Sequence, residues 1–156
     1  MLGLLKLEDL RDRLDPVAPG RIAPTPVTAG DVCVEVPANW GAPSAPSGVC
    51  GRRRVGRYAD GDLAVTSGEG QGVLVVWGDL VMGPRAFFRG VLLVGGSLRL
   101  APDARVHGLA RVGGGAVLGR GARIEGGFCP AARALVEVAD LRRPLLELPG
   151  SQVGLP

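Results

Sequence analysis

Aromatic residues are scarce in this sequence: two tryptophans, one tyrosine and three phenylalanines among 156 residues. So small a share, beside 26 glycines and 13 prolines, argues against a helical bundle or a β-sandwich. Lysine is almost missing. Lys6 is the only one, so the net charge of +3 comes nearly all from arginine. The arginines are spread along the chain apart from one cluster, Arg52-Arg53-Arg54. Nucleic-acid binding needs such charge on one face together with stacking aromatics, so no nucleic-acid partner is expected. Histidine and cysteine are few: His107, Cys33, Cys50 and Cys129. A structural zinc site usually takes four such ligands at close spacing, and neither a metal nor another cofactor is expected. Long apolar runs are missing as well. No stretch approaches the ~18 uninterrupted apolar residues that would span a bilayer. The opening MLGLLKLEDL lacks the basic start and small-residue cleavage site of a signal peptide. Membrane contact is therefore expected only through a segment absent from this chain.

What is present is glycine on a fixed period. Gly72, Gly90, Gly108 and Gly126 recur every 18 residues, and Gly78, Gly96 and Gly114 repeat six residues further on. The units are GVLVVWGDLVMGPRAFFR, GVLLVGGSLRLAPDARVH and GLARVGGGAVLGRGARIE. A short fixed period signals a repeat architecture. Positions 3, 5, 9, 11, 15 and 17 of every unit are apolar. The first unit supplies Leu74, Val76, Leu80, Met82, Ala86 and Phe88, and the second Leu92, Val94, Leu98, Leu100, Ala104 and Val106. The third supplies Ala110, Val112, Ala116, Leu118, Ala122 and Ile124. Charged residues such as Asp79, Arg99 and Glu125 fall at other positions.

A strand alternates its faces with a period of two. Two inward residues recurring every six therefore mean three short strands per turn. Gly83-Pro84, Ala101-Pro102 and Gly119-Arg120-Gly121 suit the corners. The expected fold is all-β, a three-sided parallel β-helix with 18 residues per coil, in which Leu74, Leu92 and Ala110 form one column. Phe88, Val106 and Ile124 form another. Right-handed winding is expected, as for parallel crossovers in general. A single coil cannot bury its inner face, so stability comes from stacking.

The flanking sequence divides the chain further. Residues 1–30 read as a short helix, with Leu7, Leu10 and Leu14 at helical spacing, and a Pro-rich connector from residue 16. Residues 31–60 hold a strand, DVCVEV, and a turn-rich loop bracketed by Cys33 and Cys50. Residues 61–127 are the solenoid, opening with a partial coil at Gly61-Asp62-Leu63 whose third side is replaced by a turn at 67–71. Residues 128–156 hold a helix starting at Pro130, with Ala131, Leu135 and Val138 on one face, and a tail after Pro144. Both helices are expected to cap the open ends. Cys33 and Cys50 close a loop worth about 3 kcal/mol if bonded, and the residues alone leave a disulfide and two separate thiols both open. Cys129 reads as a buried free thiol.

No catalytic constellation stands out. His107 occupies an outward position, where a hexad-repeat acyltransferase would place its base, yet no carboxylate is evidently set to orient it. Asp62 and Asp79 sit at corners and read as hydrogen-bonding turn residues rather than a calcium ladder, which Ser97 and Gly115 would interrupt.

The stretch from Cys33 onward resembles bacterial envelope proteins related to type IV pilus-assembly minor pilins. The motifs that carry the likeness are Asn39-Trp40-Gly41 and Pro43 between Cys33 and Cys50, then Gly61-Asp62-Leu63, Gly70-Gln71-Gly72 through Leu80, and Phe87-Phe88. The coil Gly90 to Gly96 and the run Cys129 to Leu141 continue it. The resemblance implies a non-enzymatic, extracytoplasmic component of the cell envelope, with other envelope or pilus-like subunits as partners. Export would favour a Cys33–Cys50 bond. The third coil onward also resembles bactofilins, which would make the chain a cytoplasmic polymer. The oligomeric state is left open.

Overall fold

The computed structural model describes residues 7–138. A short helix, α1 (Leu7–Arg11), leads into two strands, β1 (Asp15–Val17) and β2 (Gly20–Ile22). A long excursion follows, carrying the small hairpin β3 (Thr28–Ala29) and β4 (Val32–Cys33). The chain then winds through β5 (Val55–Ala59), β6 (Leu63–Val65), β7 (Glu69–Val76), β8 (Leu80–Met82), β9 (Phe87–Val94), β10 (Leu98–Leu100), β11 (Arg105–Val112), β12 (Ala116–Leu118) and β13 (Arg123–Gly126). It closes with α2 (Phe128–Glu137).

All the ladders between coils are parallel. One sheet runs β1-β5-β7-β9-β11-β13 and a second β12-β10-β8-β6-β2. This is a β-solenoid of about four turns preceded by a partial one. The expected columns are present: Leu74 pairs with Leu92 and Leu92 with Ala110, while Phe88 pairs with Val106 and Val106 with Ile124. The inward residues Leu74, Val76, Leu80, Met82, Phe88, Leu92, Val94, Leu98, Leu100 and Val106 form one buried core.

Two of the three sides share a strand. β7, β9 and β11 each run from the third side of one coil to the first side of the next, turning at Gly72, Gly90 and Gly108. These glycines take φ of +127°, +136° and +138°, a region that L side chains seldom enter. A Cβ on Gly90 would lie 2.1 Å from the carbonyl oxygen of Gly72, so the coils close up at these corners only because the side chain is absent.

Where the structure departs from the sequence reading, it does so at the ends. The solenoid starts at Asp15 rather than at residue 61, since β1 and β2 lie in the stretch read as a connector and pair with β5 and β6. The coil at Gly61-Asp62-Leu63 is complete. Its third side is the start of β7, with Glu69 opposite Phe87. The strand read at 31–36 is only Val32–Cys33.

Neither helix caps an end. α2 lies along the flank, on the outer faces of β7, β9 and β11. Ala131, Ala134 and Val138 bury against Val73, Val75, Val91 and Leu93, and Leu10 and Leu14 join the same outer cluster beside Tyr58. The outward positions of these coils are apolar, so the sheet needs a cover there more than at its ends. The helix also begins two residues before Pro130, which is tolerated in a first turn because its missing N–H has no helical partner. The expected stop at Pro144 and the tail lie outside the described residues.

Val112, Leu118 and Ile124 belong to the inward pattern yet are not fully buried. Val112 is half-buried, and Leu118 and Ile124 are 45% and 37% exposed. They line the last coil, and no described coil follows to cover them.

Candidate functional site

Two features of the surface invite a functional reading: the bridged loop and the uncovered last coil. In the loop, Cys33 and Cys50 are disulfide-bonded, with Cα atoms 5.1 Å apart. Asn39, fully buried, organises the turns beside the bridge. Its Nδ2 donates to the Val34 carbonyl at 2.8 Å and the Val27 carbonyl at 3.1 Å, and its Oδ1 accepts from Gly41 N at 3.0 Å. Arg53 Nε donates to the Asn39 carbonyl at 2.9 Å. A buried polar side chain is stable only when its groups are satisfied in this way.

Trp40 is the loop's contribution to the core. It is 1% exposed, and its indole N–H donates to the Pro37 carbonyl at 2.9 Å. Its carbonyl accepts from Gln71 N at 2.8 Å, so the segment stacks on the third side of the next coil. Gly70 occupies the register of Phe88, and a Cβ there would come within 2.8 Å of Trp40 Cβ. The indole thus fills the column that Gly70 leaves empty. Gln71 closes the seam by donating from Nε2 to the Gly51 carbonyl at 2.8 Å.

The sequence reading put Gln71 in the turn at 67–71 and Trp40 in the loop, and gave neither a part in the core. The available signal was Gly70 itself, a missing side chain in an otherwise apolar column. Arg57 was also missed. It stands in the register of Leu74 at the first end of the core, where its guanidinium meets the Asp15 carboxylate at 2.8 Å.

The aspartate corners match the expectation drawn from the sequence. Asp62 Oδ1 accepts from Asp79 N at 2.8 Å, and Asp79 Oδ1 accepts from Ser97 N at 2.7 Å. Each carboxylate holds the backbone of the following coil. Asp79→Ala is expected to cost about 1 kcal/mol, the usual net value of one such bond, seen as a lower urea midpoint with unchanged slope.

His107 lies on the outer face of β11, half-buried, with Arg89 in the register before it and Glu125 in the register after it. Glu125 pairs instead with Arg123 at 3.7 Å. The arginine cluster is partly spent on structure: Arg53 faces Glu35 at 3.3 Å, and Arg54 pairs with Glu137 of α2. Cys129 is exposed rather than buried: within the first turn of α2 it is Pro130 and Ala131 that turn inward, while Phe128 and Cys129 face out. Among the described residues, no three His, Cys, Asp or Glu side chains gather as metal ligands would, and no helix is long and apolar enough to cross a membrane. A surface groove of about 550 Å³ runs between α1 and the first coils, lined by Arg11, Leu14, Pro16, Pro19, Tyr58 and Asp60. Burial, then the hydrogen-bonded Asp60 carboxylate, push the Tyr58 phenol above its usual pKa.

These features define a β-solenoid with one disulfide-bridged insertion. No known protein family, curated protein or solved structure matches the chain.

Proposed function

We propose that the protein is a non-enzymatic structural or assembly component of the bacterial cell envelope, working outside the cytoplasm. The observation that carries this reading is the Cys33–Cys50 bond, which clasps the very loop that inserts Trp40 into the core. A bond closing such a loop stabilises by about 3 kcal/mol in the chain-entropy picture, and it persists only where thiols are oxidised. Other observations agree with a scaffold. Asp62 and Asp79 hold neighbouring coils together, and Arg53 and Arg54 hold the loop and α2. Side chains that could have served chemistry are thus committed to the frame.

Thiol titration of denatured protein, alkylated at the moment of cell lysis, tests the reading. One reactive thiol, from Cys129, is expected without reductant and three with it. Three free thiols without reductant would overturn an extracytoplasmic site of action.

A further inference from the structure

The two ends of the solenoid are finished differently. At the first end, β1 carries Pro16 and its link to β2 carries Pro19, residues with no N–H to offer another strand. The core there closes on the Arg57–Asp15 ion pair. At the last end none of these devices is present. The coil from Leu109 to Gly126 contains no proline, and β12 and β13 are each paired on one side only among the described residues. Exposed apolar side chains gather there. Of the ten large apolar residues exposed in the described structure, five (Leu109, Val117, Leu118, Ile124 and Phe128) lie between positions 109 and 128. An open strand edge beside an uncovered core is a template for another chain.

We infer that this end binds a second copy of the same chain, edge to edge, in a two-fold dimer centred on Ile124. The charges of β13 are self-complementary about that residue. In an antiparallel pairing of two Arg123-Ile124-Glu125 strands, Ile124 faces its own copy, and Arg123 of each copy faces Glu125 of the other. Both charged side chains are exposed, at 67% and 52%, and their present contact is a loose one at 3.7 Å. An isologous contact of this kind closes on itself, so it gives a dimer and stops. α2 carries the chain back along the flank to Val138, beside Gly56 of β5 and four ladder steps from β13, about 19 Å at the usual strand spacing. The inference holds whichever compartment the protein works in.

Sedimentation velocity on the full-length oxidised protein, with Cys129→Ser to remove chance crosslinks, reads the outcome directly. A dimer is expected at tens of micromolar. Arg123→Glu or Glu125→Arg alone sets like charges opposite at two places and weakens the dimer by about tenfold or more. The double change Arg123→Glu with Glu125→Arg restores it, which no loss of folding could mimic. Ile124→Cys in the same background should give a covalent dimer under mild oxidation, since directly opposed Cα atoms sit at about 4.5–5.5 Å, within disulfide range. A monomer at several hundred micromolar, a dimer indifferent to either single charge change, or assembly beyond two copies would each overturn the inference.

Discussion

Replacing Trp40 with alanine is expected to lower the unfolding free energy by about 4 kcal/mol, the middle of the range for truncating a buried aromatic residue. The loss follows from what the indole does. It is fully enclosed, it stands in for the absent side chain at Gly70, and it anchors a loop otherwise rich in turn formers. Urea unfolding followed by circular dichroism measures the change. The pair Trp40 and Gly70 offers a sharper test than either alone. Gly70→Val in the native background should destabilise, because its Cβ meets Trp40 at 2.8 Å. In a Trp40→Gly background, which removes the indole together with the Cβ that the valine would meet, the same valine should restore part of the loss by refilling the column. A double-mutant cycle without that change of sign would show that the indole does not occupy Gly70's place.

Gly90→Ala is the second large effect. Two costs add: the φ of +136°, disfavoured for any L side chain, and a Cβ placed 2.1 Å from the Gly72 carbonyl oxygen. Strain of the first kind is worth about 1–3 kcal/mol and forced overpacking a similar amount, so a total of about 4 kcal/mol is expected. Gly108→Ala should behave alike, with the Gly90 carbonyl oxygen 2.0 Å away. Gly126 provides the control. It holds the same place in the period, but a methyl group there would meet no heavy atom within 4 Å, and its φ is not positive. Gly126→Ala should therefore shift the thermal midpoint by less than about 2 °C, a few tenths of a kcal/mol. Equal costs at Gly90 and Gly126 would mean that the glycines recur in period for a reason other than the bent corner.

The middle of the molecule was legible because its physics is local and periodic. Each coil repeats the same inward positions, so Leu74, Leu92 and Ala110 could be placed in one column from letter spacing alone. The first coil was not legible. Asp15 pairs with Arg57 across 42 positions, because the bridged loop is inserted between β2 and β5, and that insertion erases the period. Arg57 further disguised the coil by putting a charge where an apolar residue was expected. The bridge itself was half legible, since Cys33 and Cys50 stood out while their bonding depended on the compartment. The helices were found and misplaced. Val73, Val75, Val91 and Leu93 are outward yet apolar, and read together with their inward neighbours they announce a sheet covered on both faces. The inward pattern alone does not reveal that cover.

That cover has a mechanical consequence. A stack of coils is ordinarily a row of weakly coupled units, able to fray from either tip while the rest stays folded. Here α2 is laid across β7, β9 and β11 like a splint, and its far end is fastened by Val138 against Gly56 and by Glu137 against Arg54. Lifting any one of those strands away breaks the splint's hold on the others. Amide protection across them should accordingly rise and fall together, as in a single melting unit.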